Sequence, residues 1–188
     1  MMFDVIIPTI DRETLDRAVE SVIAQTYQDW RLQLVFHGVP TRHFDDYRVR
    51  SWYVPKDQPD YGASARNFGY ARGVAPCIAY LDDDDIWHPN HLETIHKLIE
   101  SDPYANMFKT AAQEMRVRHD RLTRNRIRFR TVNSTDPLTI TIAHSRSLFL
   151  RTQGWQPVDN HDHLLWKEML DSGGTPLYSD EVTAAFAR

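Results

Sequence analysis

Four aspartates in succession, Asp82 to Asp85, stand directly behind the apolar run Cys77-Ile78-Ala79-Tyr80-Leu81. Any fold open to this chain must bury the run and bring the carboxylates out at its end. The run has the length and composition of a buried strand, and Ile86-Trp87-His88-Pro89 behind it leads into a helix with proline near its first turn. Like charges crowded at one strand end repel. A divalent cation among them would relieve that repulsion, because hard cations take carboxylate oxygens and leave positions for phosphate oxygens. The other reading is a solvated acidic loop without a ligand.

The flanking pattern favours a sheet that could hold such a site. Val5-Ile6-Ile7 predicts a first strand, ended by Pro8-Thr9. Leu15, Ala18, Val19, Val22 and Ile23 recur at helical spacing behind Asp11, a candidate cap. Leu32–Phe36 and Arg50–Val54 predict two more strands, Lys56–Gly62 a loop, and Ala63–Arg72 a helix of small residues. Further helices are expected from about Pro89 to Glu100 and over Leu164–Leu170. Strands are expected over Asn106–Arg118, Thr139–Ala143, Ser147–Arg151 and Tyr178–Phe186. Strands alternating with helices predict an α/β chain, Rossmann-like, with a mostly parallel central sheet flanked by helices and a small antiparallel hairpin in the second half. In such sheets ligands sit outside the carboxyl ends of the strands, where the aspartates fall.

Composition narrows the classes. With 188 residues, 41% hydrophobic and 26% charged, one domain with a sizeable core is expected over residues 1–188. A formal charge of −4 does not by itself point to nucleic acid or to a membrane. The single cysteine, Cys77, excludes an intrachain disulfide and a paired-cysteine zinc site. No stretch is long and apolar enough to span a bilayer, and the first ten residues lack a secretory pattern, so a cytoplasmic location is expected. Against the mild net charge, Arg116, Arg118, Arg121, Arg124, Arg126, Arg128 and Arg130 crowd one stretch in which Asp120 is the only acid. Such a row suits phosphate on a nucleotide, a lipid-linked pyrophosphate or a nucleic-acid backbone; it also suits a solvated hairpin face.

In order and spacing, the segments resemble a family 2 glycosyltransferase of the GT-A fold over nearly the whole chain. Val5–Thr9 with Arg12 looks like that family's opening strand and nucleotide loop, and AVESVIAQTY, from Ala18, like its first helix. GASARNFGYARG, from Gly62, is similar to its glycine and Ala-Arg-Asn block. LDDDDIWHP, from Leu81, looks like its Asp-x-Asp metal motif, and Gly154-Trp155 with Asp162 and Leu165-Trp166 like its closing signature.

The resemblance implies a nucleoside-diphosphate sugar donor, Mn2+ or Mg2+ on the diphosphate, and inverting transfer to an acceptor hydroxyl. It implies Asp84 as first metal ligand, with Asp82 and Asp83 toward the ribose and the ion's waters, so that Asp82 and Asp84 are the metal candidates. Asp85 would orient a ligand or cap a helix. Pro8, Thr9 and Arg12 would line the nucleotide pocket, Arg66 would reach a phosphate or the base, and Asp162 would be the general base. Residues 1–100 would bind the donor, and residues 101–188 the acceptor and the base. The acceptor would be a saccharide, a lipid-linked saccharide or another hydroxyl, including one bearing phosphate. Two departures stand out. Val35-Phe36-His37-Gly38 lacks the carboxylate the family places after its second strand, and His161 replaces the glutamate before Asp162, where an imidazolium would weaken the base. They motivate an alternative, a catalytically silent nucleotide-sugar binding module. A nucleotidyltransferase would need a glycine-rich basic loop where Pro8-Thr9-Ile10-Asp11 stands.

Overall fold

A computed structural model describes residues 1–118, 126–132 and 137–187. Its first half is a parallel sheet. Strands β1 (Phe3–Thr9), β2 (Trp30–His37), β3 (Val49–Val54) and β4 (Cys77–Tyr80) lie in the order β3-β2-β1-β4, with helices α1 (Leu15–Ile23) and α2 (Ala63–Arg72) in the crossovers. All of β1 is buried. Phe3, Val5 and Ile7 join one core with Leu15, Ala18, Val19 and Val22 of α1, while Ile6 joins a second core with Ala63, Trp155 and Leu165. Two buried faces explain why β1 and β4 carry continuous apolar runs rather than alternating ones.

The second half adds β5 (Ile86–Trp87), α3 (His91–Ser101), β6 (Met107–Arg118), β7 (Arg126–Val132), a 3-10 turn (Thr139–Thr141), β8 (Ile142–Ser145), α4 (Arg146–Phe149), α5 (His161–Asp171) and β9 (Pro176–Ala187). The sheet continues from β4 as β8-β6-β9-β5, with β7 on β6. Pairing is antiparallel at β4–β8, β8–β6, β6–β7 and β9–β5, and parallel at β6–β9. The architecture is a mixed α/β sheet flanked by helices.

Three local expectations change. Ser147–Arg151 is not a strand: the Ser145 hydroxyl accepts from Leu148 N at 3.2 Å and starts α4 instead. Thr139–Thr141 turns before the strand begins at Ile142. Asp11 caps nothing, because at φ 61° it lies in the left-handed region outside the helix, and its carboxylate pairs with Arg42 at 3.0 Å.

Buried polar groups fasten the halves together. The Asp4 carboxylate accepts from Gln33 Nε2 at 3.2 Å, Ala75 N at 2.7 Å and Arg146 Nη2 at 2.7 Å, joining β1 to β2, to the loop before β4 and to α4. Gly73 makes room for it, since a Cβ there would stand 2.1 Å from Asp4 Oδ2. Two histidines are fully enclosed. His91 Nδ1 lies 2.7 Å from Thr183 Oγ1 under the Trp87 ring, and His144 Nε2 lies 3.0 Å from the Tyr80 hydroxyl.

Burial pushes His91 down to about 3 and His144 down to about 4. Their contribution to stability is present above the unfolded value near 6.5 and is lost as pH falls toward the folded values, because the unfolded chain takes up the protons first. Each lowers stability by up to roughly 1.4 kcal/mol per pH unit in that window. Urea unfolding between about pH 7.5 and about pH 5.5 should therefore fall less steeply in His91→Gln than in the wild type; parallel slopes would show that His91 is protonated in the fold.

Candidate active site

The carboxyl ends of β1 and β4 are neighbours, with Phe3 opposite Cys77 and Ile6 opposite Tyr80, so the loops that follow them meet. Thr9 Oγ1 donates to Asp83 Oδ2 at 2.7 Å, and Ile10 N donates to the same oxygen at 3.3 Å. Arg12 reaches Asp84 Oδ2 at 2.5 Å and Asp83 Oδ1 at 3.4 Å, and Arg17 donates to the Asp84 carbonyl at 3.1 Å. From the start of α2, Arg66 pairs with Asp82, donates to the Tyr61 carbonyl at 2.6 Å and lies 4.8 Å above the Trp155 ring. Gly62 permits that approach. Its φ is 78°, and a Cβ would meet Arg66 Nη1 at 3.0 Å and Pro8 Cβ at 3.4 Å.

Three guanidinium groups thus face four carboxylates, and the balance is incomplete. Burial, followed by the charges of Asp82 and Asp84, pushes Asp85 up to about 8. Burial also raises Asp83, against Thr9 and Arg12, which pull it down. Asp85 caps no helix, since α3 begins at His91; its amide donates to the Asp82 carbonyl at 3.2 Å and closes the turn.

Two cavities open at this edge. The first, about 330 Å³, is lined by Pro8, Thr9, Arg12, Arg66 and Asp82 to Asp84, together with His37, Lys56, Asp60, Tyr61 and His161. Every residue expected at the donor end is in it. The second, about 190 Å³, is lined by Asp82, Asp84, Asp85 and Asp162, with Leu138 to Ile140 and Phe186. Asp82 and Asp84 are the wall common to both, so the sequence-distant Asp162 shares a pocket with them.

Asp162 lies in the first turn of α5, its side chain 18% exposed, and accepts from His163 N at 2.9 Å and from His163 Nδ1 at 3.0 Å. The imidazole touching it is therefore His163, not His161. His161 donates Nδ1–H to the Val158 carbonyl at 3.0 Å, and burial, then the Arg66 charge, pull it below the ordinary histidine range. His161, expected as the charged neighbour of Asp162, is thus turned to the backbone carbonyl of Val158.

His37, at the end of β2, is buried against the first cavity. Its Nδ1 lies 3.6 Å from Asp60 Oδ1 and its Nε2 3.1 Å from Ser64 Oγ. Asp60 escaped the sequence reading. It accepts from Gly62 N at 3.0 Å and Ser64 N at 2.9 Å, opening α2 as a cap does, and it places a carboxylate beside the end of β2 where the local sequence has none. The signal was Asp60-Tyr61-Gly62 ahead of a run of small residues.

Of the arginine row, Arg121 and Arg124 lie outside the described residues. In the β6–β7 ribbon, Arg116 is opposite Arg128 and Arg118 opposite Arg126. Arg130 is exposed and lines neither cavity.

Among the described residues, no group of three or more His, Cys, Asp or Glu is placed to hold a metal by itself. The donor set suits a different arrangement. Asp84 and Asp82 have side chains 46% and 30% exposed and open on both cavities. An ion held by one or two carboxylates and completed by water and phosphate oxygens fits them, as Mg2+ and similar hard ions prefer. The upward push on Asp85 from Asp82 and Asp84 reflects the crowded negative charge that such an ion would neutralise.

The family model described as Glycosyl transferase family 2 matches residues 4–154 of this chain. An uncharacterized glycosyltransferase of Nostoc sp. is 31% identical over 93 residues, covering 46% of this chain and 29% of that protein. The Escherichia coli UDP-Glc:alpha-D-GlcNAc-diphosphoundecaprenol beta-1,3-glucosyltransferase WfgD is 31% identical over 99 residues, covering 49% of this chain and 38% of that protein. The chain thus spans well under half the length of these relatives. Among solved structures, Staphylococcus aureus TarS 1-349 superposes with a TM-score of 0.72 at 12% identity, over 100% of this chain and 60% of that one. The mannosyltransferase PcManGT of Pyrobaculum calidifontis, in complex with GDP-Man and Mn2+, gives 0.69 at 13% identity, over 97% and 56%. At such identities the likeness establishes the fold.

Proposed function

Because this chain belongs to glycosyl transferase family 2 and has the GT-A fold, we propose that it moves a sugar from a nucleoside-diphosphate donor to an acceptor hydroxyl, inverting the anomeric carbon. One observation carries the reading: two cavities meet at Asp82 and Asp84, one lined with guanidinium groups and the other with Asp162. The first suits a diphosphate, with Arg66 and Arg12 as its cationic contacts and Pro8, Thr9 and Asp83 forming the floor under the nucleoside. Asp162, on the far side of the shared wall, takes the proton from the acceptor oxygen as it attacks opposite the departing diphosphate. A single displacement of that kind inverts the centre.

Asp84 and Asp82 would hold Mn2+ or Mg2+, which when bound supplies charge neutralisation to the leaving group. Residues 1–100 then serve mainly the donor, and residues 101–188 bring the base. The acceptor class is a saccharide hydroxyl, free or lipid-linked; the printed name of the Escherichia coli relative, with its diphosphoundecaprenol-linked acceptor, supports the second form. A phosphate-bearing acceptor also suits the arginine-rich ribbon. A cytoplasmic setting is supported by the buried free thiol of Cys77 and by the lack, among the described residues, of a helix long and apolar enough to cross a membrane.

A thermal-shift screen of UDP-, GDP-, CMP- and dTDP-sugars with and without Mn2+, followed by product analysis, tests this. One donor should stabilise the fold by about 2.7 kcal/mol at a concentration of 100 times its Kd and should then be turned over. Stabilisation without transfer or hydrolysis across a broad acceptor panel would instead identify a silent nucleotide-sugar binding module.

A further inference from the structure

We propose that His161 is a specificity-determining residue whose Nε2 accepts a hydrogen bond from a hydroxyl of the donor's sugar, so that the site selects neutral, hydroxyl-bearing sugars. The inference rests on the donor reading above and assigns the part of the first cavity that the nucleotide and diphosphate contacts leave open.

The tautomer is set by the backbone. Val158 presents a carbonyl oxygen 3.0 Å from Nδ1, and a carbonyl can only accept, so the ring's hydrogen sits on Nδ1 and the lone pair on Nε2. Burial and the nearby Arg66 charge pull the ring below the ordinary histidine range, against Val158, Asp162 and Asp82, and so favour the form that keeps that lone pair. The ring is also held in place. Its centroid lies 5.3 Å from the buried Trp155 ring and 6.2 Å from the Tyr61 ring. Among the described residues no group hydrogen-bonds Nε2, and His161 lines the cavity that also holds Arg66 and Asp82.

Position then fixes the ligand part. Arg66 and Asp82 mark the diphosphate end of the cavity, and the group attached to the diphosphate is the sugar. The next residue, Asp162, opens on the second cavity. The first turn of α5 therefore serves both sides, His161 the donor and Asp162 the acceptor. An uncharged acceptor takes a hydroxyl hydrogen well and repels a carboxylate, so a uronate donor is disfavoured where a hexose is held.

The test compares sugar nucleotide with bare nucleotide by isothermal titration in the presence of Mn2+, using UDP-glucose against UDP and GDP-mannose against GDP. His161→Phe keeps a ring of similar size and removes the acceptor; His161→Gln restores an acceptor oxygen at similar reach. For the sugar nucleotide that the wild type binds more tightly, Phe should weaken binding about tenfold and leave the bare diphosphate unchanged, as the loss of one buried hydrogen bond requires. Gln should recover to within about threefold of the wild type. Equal weakening of both ligands, an unaffected sugar nucleotide, or wild-type affinities equal for both ligands would each overturn the assignment. A wild-type chain that binds no UDP-, GDP-, CMP- or dTDP-sugar while folded would overturn the donor reading itself, and this assignment with it.

Discussion

Asp162→Asn should lower turnover by about 10²–10⁴ while changing the affinity for donor by less than about twofold. The substitution is nearly isosteric. An asparagine oxygen can still accept from the His163 amide, so the local geometry of α5 survives. What it removes is the capacity to take a proton. The carboxylate opens on the second cavity, across Asp82 and Asp84 from the donor side, so its loss should appear in kcat rather than in donor binding. The structure also shows that Asp162 is not the residue that flanks the helix. The residue flanking α5 is Asn160, and Asp162 lies within the first turn, where its charge adds at most a modest favourable interaction with the helix dipole. Unfolding of the variant should therefore stay within about 1 kcal/mol of the wild type. Wild-type turnover in Asp162→Asn would move the base elsewhere, and a large drop in stability would return Asp162 to a structural role.

Why some of this was legible in the sequence and some was not follows from the range of the interactions. Strands buried on both faces announce themselves as unbroken apolar runs, which is why Val5–Ile7 and Leu32–Phe36 fall inside β1 and β2 and the Cys77–Leu81 run overruns β4 by one residue. The Ala63–Arg72 helix was bounded correctly because glycines flank both ends. Ser147–Arg151 was misassigned because Leu148-Phe149-Leu150 is too short an apolar run to distinguish a strand from one helical turn, and a single hydroxyl, that of Ser145, decides it. The site divides the same way. The aspartates and Arg66 lie in local motifs. The pairing of His37 with Asp60 depends on the path of the loop between them, and the division of one edge into two cavities depends on Thr139, Ile140 and Phe186, which no local pattern marks. The tautomer of His161 likewise needed the Val158 carbonyl to be placed beside Nδ1, and its downward shift needed burial and the Arg66 charge.

The second large effect concerns Asp84. Asp84→Asn should abolish the Mn2+-dependent gain in nucleoside-diphosphate affinity, a gain expected to be at least about tenfold in the wild type, since even outer partners of metal ligands are worth roughly 10–100-fold. In the free protein the carboxylate is held by Arg12 at 2.5 Å, but both side chains are nearly half exposed, and an ion pair in that setting is weak. Asp84 would therefore be available to hold a divalent ion, with Arg12 then available to a phosphate. Asp83 provides the contrast. It is buried under Thr9 and the Ile10 amide, so Asp83→Asn should act on the loop after β1 and on stability before it acts on the ion. The same electrostatics predicts that Asp84→Asn does not destabilise the fold, because the Asp84 charge is among those that push Asp85 up to about 8, and removing it relieves the cluster. Titration of UDP or GDP with and without Mn2+, paired with thermal unfolding of the ligand-free proteins, reads both outcomes. A Mn2+-dependent gain that persists undiminished in Asp84→Asn would show that the ion is held by other atoms, and the acidic turn would then be a counter-charge to Arg12, Arg17 and Arg66 alone.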